Sequence, residues 1–479
     1  MLPRFDELWN SSLSPFQNPA SKARAYRLAL SLLACLGRRT ITGWLCAGGR
    51  QFVDWSSDYR LFSNARWSAR DLFTPVLSGV LERLEEHPLV VAMDDTQLPK
   101  NGKKIPGVGF LRDPMSPPFN ANLHRAQRMC QVSAMLPDSK TQGQARAIPV
   151  RFEYVPPAKK PRRKATKNEL KEYRRRAREE SVTVRGAEIL AELRSSLDNQ
   201  LGATDKPLVA AVDGSFTNRN VLRRLPLNTV LIGRIRHDAN LNHPATQQPA
   251  RGRRRLYGEK APTPEQLLRD QSVPWTTVTA FAGGKMRSFS AKRITPLLWR
   301  KAGADVPMQL VVVKPVGYRR SKGDKTNYRR PTYLICTDPT LPVATLLQYY
   351  IWRWDIEVNH RDEKQIIGVG QAQVRSPKAV DRVPAFAVAV YATLLLAHST
   401  LQHDTSKRII ATLPKWRRSR PPLRVPTNQM IRDVRSEIWA YAMDAHPPNF
   451  DDFVSAPHRT RSRRNSNLSV ANALLHAHR

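Results

Sequence analysis

Residues 348–364 read QYYIWRWDIEVNHRDEK and are the segment from which the fold of the chain is predicted. At the helical spacing of about 100° per residue, they predict a helix with an apolar face for packing and a polar stripe about 80° wide. The stripe carries one carboxylate, three cations and a tyrosine: Tyr350, Arg353, Glu357, Arg361 and Lys364. Such a stripe is either a solvated salt-bridge surface or a metal-binding acid beside groups that grip phosphates.

Four of these residues form a known pattern. Tyr350, Arg353, Glu357 and Lys364 have the spacing Y-(2)-R-(3)-E-(6)-K. In this the chain resembles the bacterial insertion-sequence DDE transposases that carry the motif. The resemblance covers roughly residues 88–375 and implies that Glu357 acts with two aspartates upstream in the chain.

The chain is strongly basic. Its 479 residues include 78 Lys and Arg against 40 Asp and Glu, which gives a formal net charge of +38. This excess argues against an enzyme that acts on a small substrate and predicts a polyanionic partner. Double-stranded DNA is the expected partner, because no basic amphipathic segment is long enough to favour an acidic membrane surface.

Part of this charge is concentrated in one run. Residues 156–178 contain eleven Lys and Arg and lead into a predicted helix that extends to about Leu197. The run is either a solvated helix or a site of non-specific phosphate contact. Because few acids neutralise it, phosphate contact is the prediction.

The cysteines and the N-terminus indicate a reducing compartment. The four cysteines are far apart and form no CxxC pair, so neither a zinc knuckle nor a disulfide framework is predicted: Cys35, Cys46, Cys130 and Cys336. The first residues, MLPRFDELWN, carry acids and no apolar leader segment. We therefore expect a cytoplasmic, nucleoid-associated protein.

Residues 384–401, PAFAVAVYATLLLAHSTL, are apolar enough to raise the question of a membrane span. They are barely long enough, and they contain His398, Ser399 and Thr400. A buried helix is therefore predicted, and no membrane partner.

The first strand predicted to deliver an acid is residues 88–93, PLVVAM, which is followed by Asp94 and Asp95. Neighbouring residues of a strand point to opposite faces, so only one of the two can enter a site. We assign Asp94, with Asp95 as the adjacent-register alternative. A pair of aspartates that merely caps a turn is the other interpretation.

The pattern occurs a second time. Residues 206–212, KPLVAAV, form another apolar strand, and Asp213 follows it. A turn could use this aspartate for local hydrogen bonds alone. Two apolar strands that each end in an aspartate, followed by Glu357 on a cationic helix, instead predict a set of three carboxylates. The order of three strands, helix, strand, helix, strand and final helix is that of an α/β, RNase H-like fold with a mixed sheet and flanking helices.

The segment between Asp213 and Glu357 is longer than such a core needs. Residues 235–342 contain strand-like stretches at 276–281, 286–293, 308–314 and 331–337, and they resemble the β-rich insertion of this transposase group. Trp275 and Trp299 within it are either packed in a core or able to stack on a flipped base, and Trp299 is the candidate for base stacking.

These observations predict three regions. Residues 1–86 form a helical N-terminal region, either a domain that binds transposon ends or a layer packed on the core; the resemblance favours the first. Residues 87–405 form the catalytic domain, interrupted by the insertion at 235–342. Residues 406–479 form a basic C-terminal region for DNA contact or dimerisation, unless they are a solvated tail.

The predicted chemistry is metal-dependent. Hard divalent cations prefer oxygen ligands, and two Mg²⁺ ions, with Mn²⁺ as a substitute, serve phosphodiester cleavage. Asp94 would bridge the ions, and Asp213 and Glu357 would each complete one. In so cationic a protein, we expect the pKa values of these acids to be low. Tyr350, Arg353 and Lys364 would hold phosphates, as the resemblance implies, and helix geometry adds Arg361.

The sequence thus predicts a cut-and-paste transposase that cleaves element ends, joins them to target DNA and acts as a homodimer. One alternative is a domesticated nuclease of the same fold that lacks strand transfer. A second alternative is a non-catalytic DNA-binding protein derived from a transposase; three retained acids argue against it, because acids repel a polyanion.

Overall fold

The computed structural model describes residues 1–113, 116, 117, 119, 120, 122–138, 143–248, 252–303, 305–321, 323–404, 415 and 422–445. Its helices are α1 (Leu2–Ser11), α2 (Pro19–Ala34), α3 (Ile41–Ala47), α4 (Ser56–Ser63), α5 (Thr74–Leu84), α6 (Lys167–Glu179), α7 (Val182–Asn199), α8 (Arg219–Leu222), α9 (Pro264–Arg269), α10 (Val343–Trp352), α11 (Trp354–Asp362), α12 (Ala379–Asp404) and α13 (Thr427–Ala445). Short 3₁₀ turns lie at Arg50–Phe52 and Arg70–Phe73, and a π-helical turn at Glu363–Ile367.

The strands are β1 (Leu89–Pro99), β2 (Gly109–Arg112), β3 (Leu123–Pro137), β4 (Ala145–Tyr154), β5 (Leu208–Val212), β6 (Thr229–Arg234), β7 (Asn242–Pro244), β8 (Tyr257–Lys260), β9 (Thr276–Ala282), β10 (Lys285–Leu298), β11 (Pro307–Val313), β12 (Gly317–Tyr318), β13 (Asn327–Tyr328) and β14 (Thr332–Cys336). All four stretches predicted as strands between residues 276 and 337 are confirmed.

Within the described residues, twelve strands form one mixed sheet in the order β2-β3-β1-β5-β6-β14-β11-β10-β7-β8, with β4 on β3 and β9 on β10. β1, β5 and β6 are parallel neighbours, and their near-continuous apolar sequences are typical of strands buried on both faces. The other pairs of this sheet are antiparallel. The arrangement is compatible with the predicted RNase H-like core.

β1 is longer than the sequence indicated. The apolar run stops at Met93, and so does the parallel pairing with β5, but β1 continues to Pro99 because β3 keeps pairing with it as far as Ala126. Asp94 therefore lies inside a strand and not at its end. The extra residues carry β1 and β3 beyond the edge at which β5 ends.

The inserted strands extend the same sheet. β14 pairs antiparallel with β6, and β11 and β10 follow outward, so residues 235–342 widen the core sheet. β12 and β13 form a separate two-stranded hairpin.

The N-terminal helices share one hydrophobic core with α12. Phe386 of α12 contacts three aromatic rings from α1, α3 and α4, with ring centroids 5.4 Å from Trp9, 6.0 Å from Trp44 and 5.4 Å from Phe62. Arg382 donates hydrogen bonds from the same helix to the backbone carbonyls of Phe62, Ala65 and Trp67. These helices are therefore a layer packed on the body of the protein.

α12 contains the apolar segment that raised the membrane question. Its stretch Ala379–Leu401 has the length and composition of a membrane span, but 89% of its most apolar window is buried inside the protein. It serves as the central core helix. Most of residues 406–479 lies outside the described residues, although α13 within them packs on α2 and α12.

The predicted continuous helix at 348–364 is interrupted twice. α10 ends at Trp352 and α11 begins at Trp354, so Arg353 stands at the junction. α11 then passes into the π turn Glu363–Ile367, which closes at Gly368 in the left-handed conformation. A π turn widens the helix, so residues after Asp362 depart from the 100° spacing used above.

Candidate functional site

The two predicted aspartates are neighbours across the sheet. Met93 of β1 is in register with Val212 of β5, so Asp94 and Asp213 come next at the same level of two adjacent parallel strands. Adjacent strands lie about 4.8 Å apart, which brings the two carboxylates together without any contribution from loops. The sequence placed them at strand ends, and the register supplies their proximity.

The two faces of β1 separate Asp94 from Asp95. Val90 and Ala92 belong to the apolar cluster that contains Ile356 of α11, and strand alternation puts Asp94 on the same face. Asp95 is on the other face, where its Oδ2 lies 3.6 Å from Nε of Arg128. Asp94 is thus the aspartate that faces the helix of Glu357.

The protein groups around Asp94 disfavour its charged form. Burial, followed by the charges of Asp213 and Asp95, raises the pKa of Asp94 to about 7, although Arg353 opposes the shift. The expectation of a low pKa is wrong for this acid, because its neighbours in the fold are carboxylates and apolar strands, whatever the net charge of the chain. Burial also raises the pKa of Asp95.

Asp213 is held in place by a tight turn. Its Oδ1 accepts hydrogen bonds from the backbone N–H of Ser215 at 2.9 Å, from the Ser215 hydroxyl at 2.6 Å and from the Phe216 N–H at 3.3 Å. The turn packs on Gly233 of β6, where an added Cβ would lie 2.1 Å from the Thr217 hydroxyl oxygen. The local hydrogen bonding considered from sequence is present, and it orients one oxygen while leaving Oδ2 without a partner in the described part of the chain.

Arg353 connects the third acid to the first two. Its guanidinium donates to Oε1 of Glu357 at 3.2 Å, and its side chain is only 12% exposed while that of Glu357 is 37% exposed. Despite burial, the pKa of Arg353 is raised by Tyr350, Glu357, Asp94 and Asp213 together. A single cation therefore interacts with all three acids.

Tyr350 and Lys364 lie on either side of this group. The guanidinium of Arg353 is 5.6 Å from the ring centroid of Tyr350, and burial raises the pKa of the tyrosine. Lys364, on the π turn, is half-buried; its pKa is lowered by burial, although Glu363, Asp94 and Asp95 oppose the shift. The structure thus brings Tyr350, Arg353, Glu357 and Lys364 to the edge at which Asp94 and Asp213 meet.

Arg361 is directed elsewhere. Its guanidinium donates to Asp362 at 2.9–3.0 Å, and it lines a separate polar groove with Asp355 and Arg424. The sequence prediction put it on the face of Lys364, but the π turn rotates Lys364 relative to α11. Arg361 and Lys364 therefore do not form one stripe.

The donor set suits a hard divalent cation, with one rearrangement. Asp94 and Asp213 are two carboxylate donors at one level of the sheet. Burial, followed by the charges of Asp213 and Asp95, raises the pKa of Asp94, and a bound cation would favour the ionised form. Among the described residues, however, no group of three or more His, Cys, Asp or Glu side chains is close enough to hold a metal. Oε1 of Glu357 accepts a hydrogen bond from Arg353, so in this arrangement the third acid is paired with a cation and has not joined the two aspartates.

Beside Asp213 is a cavity of about 680 Å³. Two aromatic side chains, Trp299 and Tyr333, line it together with a cationic set: Arg219, Arg234, Arg236, Lys301 and Arg330. Trp299 also packs against the main core. Trp275, the other tryptophan considered, lies beneath Lys292 and Lys314, whose ammonium groups are 4.5 and 5.7 Å from its ring centroid.

Two residues near the site were not predicted from sequence. Arg234 ends β6, and because Gly233 is in register with Val212, it reaches the level of Asp213; it also lowers the pKa of Tyr350. Glu363 is buried against Gln131, the cross-strand partner of Asp94. Arg234 could have been predicted, because it ends the third apolar strand of the parallel set. Nothing in the sequence distinguished Glu363 from a surface acid.

Comparison with known families gives one match. The sequence pattern described as DDE superfamily endonuclease matches residues 13–305, which include Asp94 and Asp213 but end before Glu357. No curated protein matches the chain. The matched segment covers more than half of the chain. The protein therefore belongs to the DDE superfamily endonucleases, as a transposase-like nuclease of the insertion-sequence type.

Proposed function

We propose that this nuclease is a cut-and-paste transposase, which cleaves double-stranded DNA at element ends and transfers the freed strands to target DNA. The observation that carries the proposal is the alignment of Asp94 and Asp213 on neighbouring parallel strands, beside an Arg353–Glu357 pair that interacts with both. We assign Asp94, Asp213 and Glu357 as catalytic metal ligands, with Asp94 in preference to Asp95.

Two Mg²⁺ ions, for which Mn²⁺ can substitute, supply activation of the attacking oxygen and stabilisation of the leaving oxygen when bound. The two aspartates are held in advance by strand pairing and by the Ser215 turn, so little rearrangement is needed on that side. Glu357 contributes after its bond to Arg353 opens. The guanidinium so released is available to a phosphate of the DNA, which it can bind through two parallel hydrogen bonds.

The remaining motif residues complete the phosphate site. Lys364 supplies a point charge on the Asp94 side, and Tyr350 shields Arg353 from water on the other. Arg234 adds a cation at the end of β6. Arg361 remains a predicted DNA contact, although its bond to Asp362 gives it the weakest support of the set.

The cavity beside Asp213 supports a role for Trp299. Its aromatic and cationic lining suits a base displaced from the duplex near the cut, with Trp299 as the stacking surface. In this proposal the insertion at 235–342 widens the sheet to build that cavity. The helical region 1–86 binds element ends, and the C-terminal region contributes to a homodimer that pairs two ends.

The test is cleavage and joining of a labelled element-end duplex with Mg²⁺, comparing wild type with Glu357→Gln, which keeps size and removes charge. The proposal expects wild type to cut and join, while the variant binds DNA but does neither. A wild type that cuts and never joins would identify a nuclease without strand transfer. A Glu357→Gln variant as active as wild type would show that the carboxylate assignment is wrong.

A further inference from the structure

α6 is an exposed helix without a core to hold it. Each of its thirteen residues is at least partly exposed. A capping box between Thr166 and Glu169 begins the helix, and ion pairs at helical spacing join Arg175 to Glu172 and Glu179, and Arg176 to Glu180. Capping and exposed ion pairs of this kind are weak, local interactions, so they support the helix without anchoring it to the protein.

Its charges are segregated around the helix axis. At about 100° per residue, four cations fall within an arc of about 60°, and all four are exposed: Lys167, Lys171, Arg174 and Arg178. We call these four residues the α6 stripe. None of them forms an ion pair within the described residues. Glu172, Glu179 and Glu180, which pair with Arg175 and Arg176, all lie outside the arc of the stripe.

This distribution is not expected of a helix selected only for solubility. Interspersed charges of both signs would pair the cations at 167, 171, 174 and 178 with acids three or four residues away. In α6 the acids pair with Arg175 and Arg176 instead. The four cations of the α6 stripe are left side by side, and they repel one another. A polyanionic partner removes that repulsion.

The segments at both ends of α6 connect it to the edge of the sheet that carries the aspartates. Asp94 is paired with Gln131 and Gln131 with Phe152, so β4 runs parallel to β1, with β3 between them, and leaves the sheet at Tyr154, two residues past the level of Asp94. The Tyr154 hydroxyl donates to the carbonyl of Pro106 at 2.9 Å, which ties this exit to the loop after β1.

At the other end, α6 stops at Glu179 and α7 begins at Val182, and the hydroxyl of Thr183 in α7 accepts a hydrogen bond at 2.9 Å from Nδ2 of Asn220, seven residues after Asp213. The C-terminal end of α6 is therefore joined to elements that lie at the aspartate edge.

Other exposed cations lie in the loop after β1 and in the segment that leads into α6. The loop after β1 contributes Lys103 and Lys104, and its base is fixed because the buried Lys100 ammonium donates to the carbonyls of Gly370 and Ala372 at 2.9 and 2.6 Å. The segment that leads into α6 adds five more exposed cations: Lys159, Lys160, Arg162, Arg163 and Lys164.

We propose that the α6 stripe binds the phosphate backbone of double-stranded DNA at a distance from the cut, on the part of the duplex that extends past the aspartate edge. From Lys167 to Arg178 the stripe is about 16 Å long at 1.5 Å per residue, enough to lie along several phosphates of one strand. The inference rests on the proposed function in one respect. It assumes that a DNA duplex is bound at the aspartates, and that α6 contacts the part of the same duplex that extends past them.

The test compares two variants of the same helix with the same loss of charge. Lys171→Gln/Arg174→Gln removes half of the α6 stripe, and the matched control Arg175→Gln/Arg176→Gln removes two cations that already have acidic partners. Glutamine has a helix propensity close to those of Lys and Arg, and circular dichroism verifies that both variants retain wild-type helicity. Binding to a random-sequence duplex of about 40 base pairs is measured against salt concentration, without divalent metal.

The stripe variant is expected to lower the slope of log K against log salt by about 2, because each phosphate contact contributes about 0.9. The control is expected to change that slope by less than about 0.5. Equal changes in the two variants would mean that only net charge matters, and unchanged slopes would mean a solvated helix; either result overturns the inference.

The α6 experiment and the test of the proposed function can succeed or fail independently. Binding of uncut DNA without metal does not depend on catalysis, so a wild type that fails to cleave leaves the α6 comparison intact. Conversely, a wild type that cuts and joins while the two variants have equal slopes sustains the proposed function and refutes only the stripe. In the expected case, the stripe variant cleaves at the wild-type rate once enough protein is added to saturate the duplex.

Discussion

The two halves of the candidate site are built differently. The aspartate half consists of parallel strands whose register aligns Asp94 with Asp213, and a three-bond turn holds Asp213. The helical half consists of α10, α11 and a π turn, where Glu357 is half-exposed and bonded to Arg353 at 3.2 Å. The difference teaches that the carboxylate of Asp213 is fixed by the strand and its turn, whereas the carboxylate of Glu357 is fixed only by its bond to Arg353.

The largest effect is expected when a carboxylate of the aspartate half is neutralised. Asp94→Asn is expected to slow cleavage of an element-end duplex on the order of 10³-fold or more, because a neutral amide is a poor ligand for Mg²⁺. The same change relieves a buried charge beside Asp213, so the melting temperature without metal should stay equal or rise. Mg²⁺ should raise the melting temperature of wild type and not that of the variant.

Asp95→Asn is the control for that experiment. Asp95 faces Arg128 on the other side of β1, so its loss should affect cleavage far less than the loss of Asp94. If Asp95→Asn abolished cleavage and Asp94→Asn did not, the assignment of the two faces would be reversed.

Arg353→Lys tests the helical half of the site, where the Arg353 guanidinium interacts with all three acids. Lysine keeps the charge among the three acids but loses the planar fork that can hold both Glu357 and a phosphate. Single-turnover cleavage should slow by about tenfold to a hundredfold, less than for an aspartate. Cleavage at the wild-type rate would show that charge alone suffices at this position and that the bond to Glu357 has no part in opening the site.

A pH experiment tests the protonation state of Glu363, which lies in the π turn of the helical half. Burial raises the pKa of Glu363 to about 8, so the folded protein retains a proton that the unfolded chain loses above about 4.5. The contribution of Glu363 to the free energy of unfolding is therefore complete below about pH 4.5 and is lost as pH rises toward 8. Glu363→Gln, which keeps the size of the side chain and removes the ionisable group, removes this loss.

The expected readout is a stability difference that grows with pH. Relative to wild type, Glu363→Gln should gain on the order of 1 kcal/mol or more in the free energy of unfolding between about pH 5.5 and 8, measured by urea titration at both values. Other titrating groups are common to both proteins and cancel in the difference. A difference that is constant with pH would show that Glu363 is ionised in the fold.

The smallest effect is expected from Arg361→Gln. Its side chain is 58% exposed and bonded to Asp362, so its loss should cost no more than about 0.5 kcal/mol of stability. Cleavage and DNA binding should stay within about threefold of wild type if Arg361 serves only that ion pair. A larger loss of DNA affinity, with unchanged stability, would restore Arg361 to the DNA-contacting set.

The sheet side of the site was largely predictable from sequence, for a physical reason. Apolar runs of strand length followed by Asp94 and Asp213 identify two buried strands that each lead to an acid. That the two strands are neighbours, with Met93 in register with Val212, comes from the fold. The preference for Asp94 over Asp95 was a prediction about faces, and Asp94 does lie on the face of β1 that α11 covers. The catalytic roles of these acids remain predictions.

The helical side was less predictable. An ideal 100° spacing has no means of showing the junction at Arg353 or the π turn at 363–367, because both are set by packing on the sheet. The raised pKa of Asp94 was also missed, since net charge is a property of the whole chain and burial is local. Likewise, Arg234 becomes a neighbour of Asp213 only through the register of β6.

The shared core of α12 and the N-terminal helices limits how such a protein can be divided. Because Trp9, Trp44 and Phe62 all pack on Phe386, cutting the chain near residue 87 would expose the apolar sides of both pieces to water. A gene fusion that exchanged these helices for those of a relative would have to rebuild α12 as well. If residues 1–86 bind element ends as proposed, a new end specificity can arise without rebuilding the interior of the nuclease only by substitutions on the outer surface of those helices.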